Sequence, residues 1–242
     1  ELSLARIFIP QLVNMHHIHA EMPEECSLIN TMNIRSFIFM CMANSPAYED
    51  YLKTCDFTMT FLWHKRFLQA LETQRRPENW LLKDPSHISH IPEILATYPN
   101  AKFIHIHRNP VKSIGSLSSL TSNVRSGLSN HINPKEVGER VLEFWQYSIN
   151  KNLKDRSKYL QPNQIKDIDY RDFIKNPIKE IQSTYKHFNF ELTENTSQGM
   201  QDFINNQSRE KHKAHKYSLE DFGLNESKVQ DAFSDYNRIH NF

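Results

Sequence analysis

Five side chains suited to phosphate binding or proton transfer lie at or near the ends of predicted strands. Arg108 and Ser116 are eight residues apart, which places Ser116 about two turns into the helix that follows Arg108. A guanidinium can bind a phosphate through two parallel hydrogen bonds, and a hydroxyl can donate a third. The spacing therefore favours an anion site, although Arg108 capping the local backbone or pairing with an acid is the structural alternative. The other candidates are Lys83, His87 and Tyr170.

The elements that must position these side chains form a predicted α/β unit. Trp80–Leu82 is a short apolar run, Ile91–Tyr98 has helical spacing, and Ala101–His107 alternates as a strand does. Two strands joined by a helix are expected to be parallel neighbours. A third predicted strand, Gln164–Asp169, precedes Tyr170. Ligands bind such sheets outside the carboxyl ends of the strands, where Lys83, His87 and Arg108 fall.

Helices are predicted on both sides of this unit, and one domain over residues 1–242 accounts for the whole chain. Start signals such as Asn133-Pro134 and Asn176-Pro177 mark two of the helices. The predicted helices are Cys26–Met42, Ala47–Lys53, Thr60–Thr73, the helix beginning near Pro110, Pro134–Asp155, Pro177–Phe188, Thr193–Ile204 and Glu226–Tyr236.

Composition excludes several classes of protein. A net charge of +1 argues against a nucleic-acid binder driven by overall charge. The three cysteines form no CxxC pair, which predicts free thiols rather than a disulfide framework or a zinc site. His17 and His19 have no third ligand at a convincing spacing. The first glycine is Gly115, so no glycine-rich phosphate loop is present, and no apolar run has the length of a membrane span.

Several motifs, in order, resemble the PAPS-dependent sulfotransferase family, in its branch of small bacterial-type and related eukaryotic enzymes. They are Trp80-Leu-Leu-Lys-Asp-Pro-Ser-His87, Tyr98-Pro-Asn-Ala-Lys-Phe-Ile-His-Ile-His-Arg-Asn-Pro110 with Ser116, His17–Glu25, Ile168–Asp172 and His215–Leu224. The resemblance covers nearly the whole chain. It implies a central parallel sheet flanked by helices, akin to the P-loop nucleotide kinases. It also implies transfer of the sulfuryl group of 3′-phosphoadenosine 5′-phosphosulfate (PAPS) to a hydroxyl or amine, with no metal.

The resemblance also implies roles for individual residues. Arg108 and Ser116 would hold the 3′-phosphate, and Lys83 would stabilise the charge on the leaving 5′-phosphate. Tyr170 would lie near the adenine, with core packing as the alternative. Lys211 and Lys216 belong to a basic segment similar to one that closes over the nucleotide in relatives; a solvated charged loop is the alternative. A surface lysine is the alternative for Lys83.

More than one residue is a candidate for the general base. His87 follows Lys83 as a histidine does in the family, and the pKa of a histidine ordinarily lies near working pH. Because other sulfotransferases use a glutamate, four further residues remain open as the base: His17, Glu24, Glu25 and His90.

One part of the family pattern is expected upstream of Glu1. The strand and phosphosulfate-binding loop are absent from this chain, which predicts an N-terminally incomplete domain that needs an upstream segment or a partner chain to complete its sheet. The alternative is a catalytically silent sulfotransferase-like subunit in a larger assembly. A kinase-like phosphotransferase is disfavoured, because the chain has no Walker lysine and has the Arg108–Ser116 spacing instead.

The acceptor and the compartment are only broadly predicted. A hydroxyl-bearing small molecule, lipid or glycan is expected as acceptor, and no nucleic acid. A soluble cytoplasmic domain is favoured over one in the Golgi lumen, although Asn195, Asn206 and Asn225 lie in glycosylation sequons.

Overall fold

A computed structural model describes residues 23–73, 77–207 and 217–242. Its sheet consists of β1 (Phe103–His107) and β2 (Ile165–Asp169), which pair in parallel with His107 opposite Asp169. The predicted strands over Ala101–His107 and Gln164–Asp169 are confirmed within two residues at their starts. The carboxyl ends of both strands therefore meet at one edge.

The strand predicted at Trp80–Leu82 is wrong, because these residues form no sheet ladder. A strand requires a neighbour that shares its backbone hydrogen bonds, and none of the described residues pairs with this run. At its end, the carbonyl of Lys83 accepts a hydrogen bond from the backbone N–H of Cys26 at 2.9 Å. The parallel neighbour of β1 is β2, and the connection between them contains two long helices.

The helices surround this pair of strands, and most of the predicted ones are confirmed. In chain order they are α1 (Ser27–Thr31), α2 (Phe37–Met42), α3 (Pro46–Thr54), α4 (Thr58–Leu71), α5 (Ile91–Thr97), α6 (Pro110–Ser126), α7 (Pro134–Tyr159), α8 (Tyr170–Lys175), α9 (Pro177–His187), α10 (Glu194–Gln207), α11 (Glu226–Ala232) and α12 (Ser234–His240). Short 3-10 helices cover Pro85–Ser89, Pro162–Gln164 and Glu220–Phe222.

Asparagine caps begin the helices that follow the strands and loops. Asn109, Asn133 and Asn176 each accept a backbone N–H at the start of α6, α7 and α9, and proline occupies the next position in each case. The side-chain oxygen satisfies an otherwise unpaired donor, while proline lacks the N–H that would have no partner. The Asn-Pro pairs were therefore reliable start signals.

Two predicted helices are each divided in the structure. Residues 26–42 form α1 and α2, separated by a turn in which Ile34 has φ of 53°. Ser36 begins α2 by accepting from the N–H of Ile38 and donates its hydroxyl to the carbonyl of Ser27 at 2.8 Å. Residues 226–240 likewise form α11 and α12, with Phe233 between them.

The core lies where α6 and α7 pack against each other, against α2 and against the C-terminal helices. The inner face of α7 includes Val137, Val141 and Trp145, which are buried. The faces of α4 do not divide simply into apolar and polar residues. Leu62 is exposed, whereas His64 is buried on the inner face.

Three helices meet at a buried carboxylate that the sequence did not single out. Glu49 on α3 is 1% exposed, forms an ion pair with Arg140 of α7 at 2.7 Å and lies 3.5 Å from Arg125 of α6. Arg125 also donates to the carbonyl of Met40 at 2.5 Å. Burial of both charges is offset by these contacts.

Cys26, Cys41 and Cys55 are free thiols, as predicted. Among the described residues, no helix is both long enough and apolar enough to cross a membrane.

Candidate functional site

The candidate nucleotide site begins at the shared carboxyl edge of β1 and β2. Arg108 directly follows β1, and Tyr170 directly follows β2 as the first residue of α8. Because His107 and Asp169 are in register, these two residues leave the sheet side by side. The guanidinium carbon of Arg108 lies 4.8 Å from the centroid of the Tyr170 ring. The structure thus brings together two residues that the sequence assigned to one ligand.

The environment of Arg108 leaves its charge available. The side chain is exposed, and no carboxylate in residues 23–73, 77–207 and 217–242 forms an ion pair with it. Neighbouring arginines differ, since Arg156 pairs with Asp167 and Arg171 pairs with Asp169. A guanidinium that lies over an aromatic face makes a cation–π contact, which does not use its N–H groups as donors to an acceptor oxygen.

Ser116 lies in the second turn of α6, the helix that Asn109 caps immediately after Arg108. Its side chain is half-buried. The preceding residue, Gly115, is in close contact with Tyr217: a methyl group built at Gly115 would lie 2.6 Å from Cε2 of that ring. The Tyr217 hydroxyl donates to the carbonyl of Lys112 at 3.1 Å. Tyr217 follows the basic segment directly, but Lys211 and Lys216 themselves lie outside the described residues.

Lys83 lies beside one of the candidate bases. Its ammonium forms an ion pair with Glu25, although the lysine side chain is 68% exposed. The Glu25 side chain is 18% exposed, and its other oxygen is 3.4 Å from the hydroxyl of Ser27. Glu24 is exposed, and His17 lies outside the described residues.

His87 is held in the 3-10 helix Pro85–Ser89, which Asp84 caps. The Asp84 carboxylate accepts from the backbone N–H of Ser86 at 2.8 Å and from its hydroxyl at 2.6 Å. Asn30 donates to the same carboxylate at 3.5 Å. Burial raises the pKa of Asp84 to about 6. Asp84 is thus an extended residue whose carboxylate caps the short helix that carries His87.

The imidazole of His87 is enclosed by aromatic rings. The ring of Phe61 is 5.8 Å away and that of His64 is 6.5 Å away, centroid to centroid. Burial lowers the pKa of His87 to about 4, so the ring is neutral at pH 7. Its Nε2 is buried and has no hydrogen-bond partner in the part of the chain that the structure describes. A neutral nitrogen without a partner can accept a proton or a hydrogen bond.

His90 is a weaker candidate for the base. Its ring stacks on Phe57 with centroids 3.7 Å apart, and burial lowers its pKa to about 3. A ring packed against a core phenylalanine suits a structural role.

Sequence reasoning missed His64. It lies on the inner face of α4, hydrogen-bonds through Nδ1 to the Tyr98 hydroxyl at 2.7 Å, and has a buried Nε2 with no partner among the described residues. Its one sequence signal was position: His64 stands between Phe61 and Leu68 at helical spacing.

Comparison with known proteins gives consistent results. A sequence model of the sulfotransferase family matches residues 2–194. The proteins named omega-hydroxy-beta-dihydromenaquinone-9 sulfotransferase Stf3 of Mycobacterium bovis and Mycobacterium tuberculosis are 27% identical over 157 residues, which is 59% of this chain and 38% of theirs.

Two crystal structures are similar over most of the chain. Sulfotransferase STF1 from Mycobacterium tuberculosis H37Rv has a TM-score of 0.80 and 27% identity, and the match covers 97% of this chain and 62% of that one. Sulfotransferase STF9 from Mycobacterium avium has a TM-score of 0.82 at 24% identity, covering 90% of this chain and 56% of that one. The STF9 match supports the α/β fold. The chain thus spans under two thirds of the length of each of these relatives.

Proposed function

This chain belongs to the sulfotransferase family, and we propose that it transfers the sulfuryl group of PAPS to an acceptor hydroxyl or amine. The observation that carries the proposal is Arg108, an exposed guanidinium without a carboxylate partner among the described residues, which lies over the ring of Tyr170 where two parallel strands end. An anionic nucleotide would give Arg108 a negatively charged partner beside the ring of Tyr170.

In the proposed complex, Arg108 and Ser116 donate to the 3′-phosphate. Arg108 supplies paired N–H groups, and Ser116 supplies a single hydroxyl from α6. Tyr170 lies close enough to Arg108 to stack near the adenine. Lys211 and Lys216 are proposed to contribute positive charge to the same nucleotide.

The proposed chemical step is an in-line displacement at sulfur. The acceptor oxygen forms a bond to sulfur as the bond between sulfur and the bridging phosphate oxygen breaks. His87 takes the proton of the acceptor hydroxyl, and Lys83 stabilises the negative charge that remains on the 5′-phosphate. Since Lys83 is paired with Glu25, the lysine must reorient toward the nucleotide, or Glu25 serves as the base in place of His87.

For the acceptor we propose a hydroxyl-bearing lipid as the first class to test. Two relatives bear names that specify a hydroxylated menaquinone as the acceptor. Other small molecules and glycans form the comparison set.

The first test is calorimetric binding of 3′-phosphoadenosine 5′-phosphate, the desulfated product, to the complete gene product. We expect Arg108→Ala to weaken binding about 10- to 100-fold, because a hydrogen-bonded charge is lost. Arg66→Ala is the matched control, since Arg66 also lies over an aromatic ring, 5.1 Å from that of Trp63. ATP, which has no 3′-phosphate, should bind at least tenfold more weakly. Equal binding by wild type and Arg108→Ala would reject the assigned site.

A silent subunit is the second candidate, and the ion pair between Lys83 and Glu25 favours it, because the lysine charge is already neutralised. Radiolabelled PAPS distinguishes the two candidates. Transfer to any acceptor that is abolished by Lys83→Ala supports the enzyme. A folded protein that binds neither PAPS nor 3′-phosphoadenosine 5′-phosphate supports the silent subunit.

A further inference from the structure

A cluster of histidines lies on one face of the sheet, separate from the proposed reacting groups. His105 and His107 are two residues apart on β1, so their side chains project from the same face. The strand register places Asp167 of β2 opposite His105. One potential ligand atom from each of these residues lies within 4.8 Å of the other two.

The contacts of His107 resemble those of a metal ligand with its supporting partner. Its Nε2 is 2.7 Å from Oδ1 of Asp167, and its Nδ1 is 3.0 Å from the hydroxyl of Tyr236. Histidines that bind metals commonly hydrogen-bond through the second ring nitrogen, which fixes the orientation of the ring. Tyr236 supplies that partner from α12.

The other oxygen of Asp167 is oriented by a separate contact. Arg156 of α7 donates to Oδ2 at 2.5 Å, so that Oδ1 is directed toward His107. The Asp167 side chain is 43% exposed and can adjust its position. Zinc at about 2.0 Å from both atoms requires a separation of about 3.3 Å, so the carboxylate would move by roughly 0.6 Å.

His240 provides an independent sign that a polar group belongs here. Its ring stacks on that of His107 with centroids 3.6 Å apart. Its Nε2 is buried, and no partner for it is found in residues 23–73, 77–207 and 217–242. Buried polar atoms ordinarily have a hydrogen-bond partner, and a metal-bound water would supply one.

We propose that His105, His107 and Asp167 bind one zinc ion, with a water in the fourth position that hydrogen-bonds to His240. Two imidazoles and a carboxylate form a nitrogen and oxygen set that suits zinc, and a three-residue set with water is a known zinc arrangement. The ion joins β1 to β2 through His105 and His107, three residues and one residue before Arg108, and through Asp167, three residues before Tyr170. Its role is to brace the strand ends from which Arg108 and Tyr170 project.

The zinc site does not depend on the proposed sulfuryl transfer. Zinc calorimetry, together with the visible absorption of the Co²⁺-substituted protein, tests it directly. We expect one ion per chain and the d–d bands of a four-coordinate site. His105→Ala and Asp167→Asn should each weaken binding at least tenfold, and Tyr236→Phe about tenfold through loss of the supporting hydrogen bond.

Two controls keep the result specific. His131→Ala removes an exposed histidine outside the cluster and should leave zinc affinity unchanged. The double variant His17→Ala with His19→Ala tests the other histidine pair in the sequence. Circular dichroism checks that each variant is folded. If His105→Ala does not fold, Asp167→Asn, which changes an exposed side chain, still tests the site.

The proposal is overturned if the folded protein binds no zinc, because the cluster is then a closed hydrogen-bond network among His107, Asp167 and Arg156. It is also overturned if binding survives His105→Ala and Asp167→Asn. Loss of binding only in the His17 and His19 double variant would place the ion elsewhere.

Discussion

The guanidinium of Arg108 lies 4.8 Å from the centre of the Tyr170 ring and meets no carboxylate within the described ranges. This pair defines the candidate nucleotide site more sharply than any other contact. Both residues were predictable individually, because each directly follows a strand. That they touch depends on the register of β1 with β2, which the sequence alone did not specify.

Replacing Tyr170 tests this contact. We expect Tyr170→Leu to weaken binding of 3′-phosphoadenosine 5′-phosphate about 5- to 30-fold, because the aromatic face that holds Arg108 is lost. Tyr170→Phe keeps the face and should remain within about threefold of wild type. Calorimetry measures both. Wild-type affinity in Tyr170→Leu would show that the ring does not contribute.

Buried histidines make the free energy of unfolding depend on pH. Burial lowers the pKa of His64 from 6.5 to about 4, and His87 and His90 shift in the same direction. Between pH 6.5 and 4 the unfolded chain therefore binds more protons than the folded one. The contribution of these histidines to the free energy of unfolding is complete above pH 6.5 and is lost as the pH falls toward 4. Asp84 acts in the opposite sense, since burial raises its pKa to about 6.

His64→Gln isolates one of these contributions. Glutamine can keep a hydrogen bond to Tyr98 but does not titrate. The loss of unfolding free energy between pH 7 and 4.5 should be smaller by about 2 kcal/mol than in wild type. Urea denaturation at the two pH values measures the difference. An unchanged loss would mean that His64 does not titrate as its burial implies.

Among the elements, the starts of helices and their amphipathic faces were predictable from the sequence. The division of a helix into two and the pairing of strands were not. Asn-Pro pairs located the starts of α6, α7 and α9, because capping is a local interaction. The break between α1 and α2 depends on Ser36, whose hydroxyl reaches Ser27. The missing strand at Trp80–Leu82 shows that an apolar run becomes a strand only where a neighbour shares its hydrogen bonds.

Helix α7 approaches the 3-10 helix Glu220–Phe222 closely at Gly138. A methyl group built at Gly138 would lie 2.3 Å from the carbonyl oxygen of Phe222. We expect Gly138→Ala to destabilise the protein by about 2–3 kcal/mol, since backbone cannot move aside easily. Gly199→Ala is the matched control: it lies in α10 with no atom within 4 Å of the added methyl and should stabilise by up to about 1 kcal/mol.

Urea denaturation compares the two alanine variants directly. The free energy of unfolding should fall in Gly138→Ala and rise in Gly199→Ala, although the chemical change is the same. Equal effects would show that the contact between Gly138 and Phe222 is not made in solution.

Across the whole molecule, the buried Glu49 links α3 to α6 and α7 through Arg125 and Arg140. Glu49→Gln would leave Arg125 buried without a counter-charge, at an expected cost of about 3–5 kcal/mol. Glu143→Gln removes a 51% exposed partner of the same Arg140 and should change stability by less than about 1 kcal/mol. Thermal unfolding measures both, and a small effect of Glu49→Gln would contradict the linking role.

The sheet faces differ in a way that bears on the whole fold. One face of β1 carries His105 and His107 against α12, while Ile104 and Ile106 on the other face are each 44% exposed. The expectation that a further segment or a partner chain completes the sheet remains a prediction. An added strand would pair with a backbone edge, whereas Ile104 and Ile106 report on the exposed face. Ile104→Thr with Ile106→Thr should weaken any association of the complete gene product that covers this face.

The packing of Tyr217 on Gly115 has a consequence for sequence variation among relatives. The two positions are 102 residues apart, yet a side chain at 115 and a full ring at 217 cannot occupy the same space. They should therefore evolve as a pair. Relatives with alanine or serine at the position of Gly115 should carry a smaller residue at that of Tyr217.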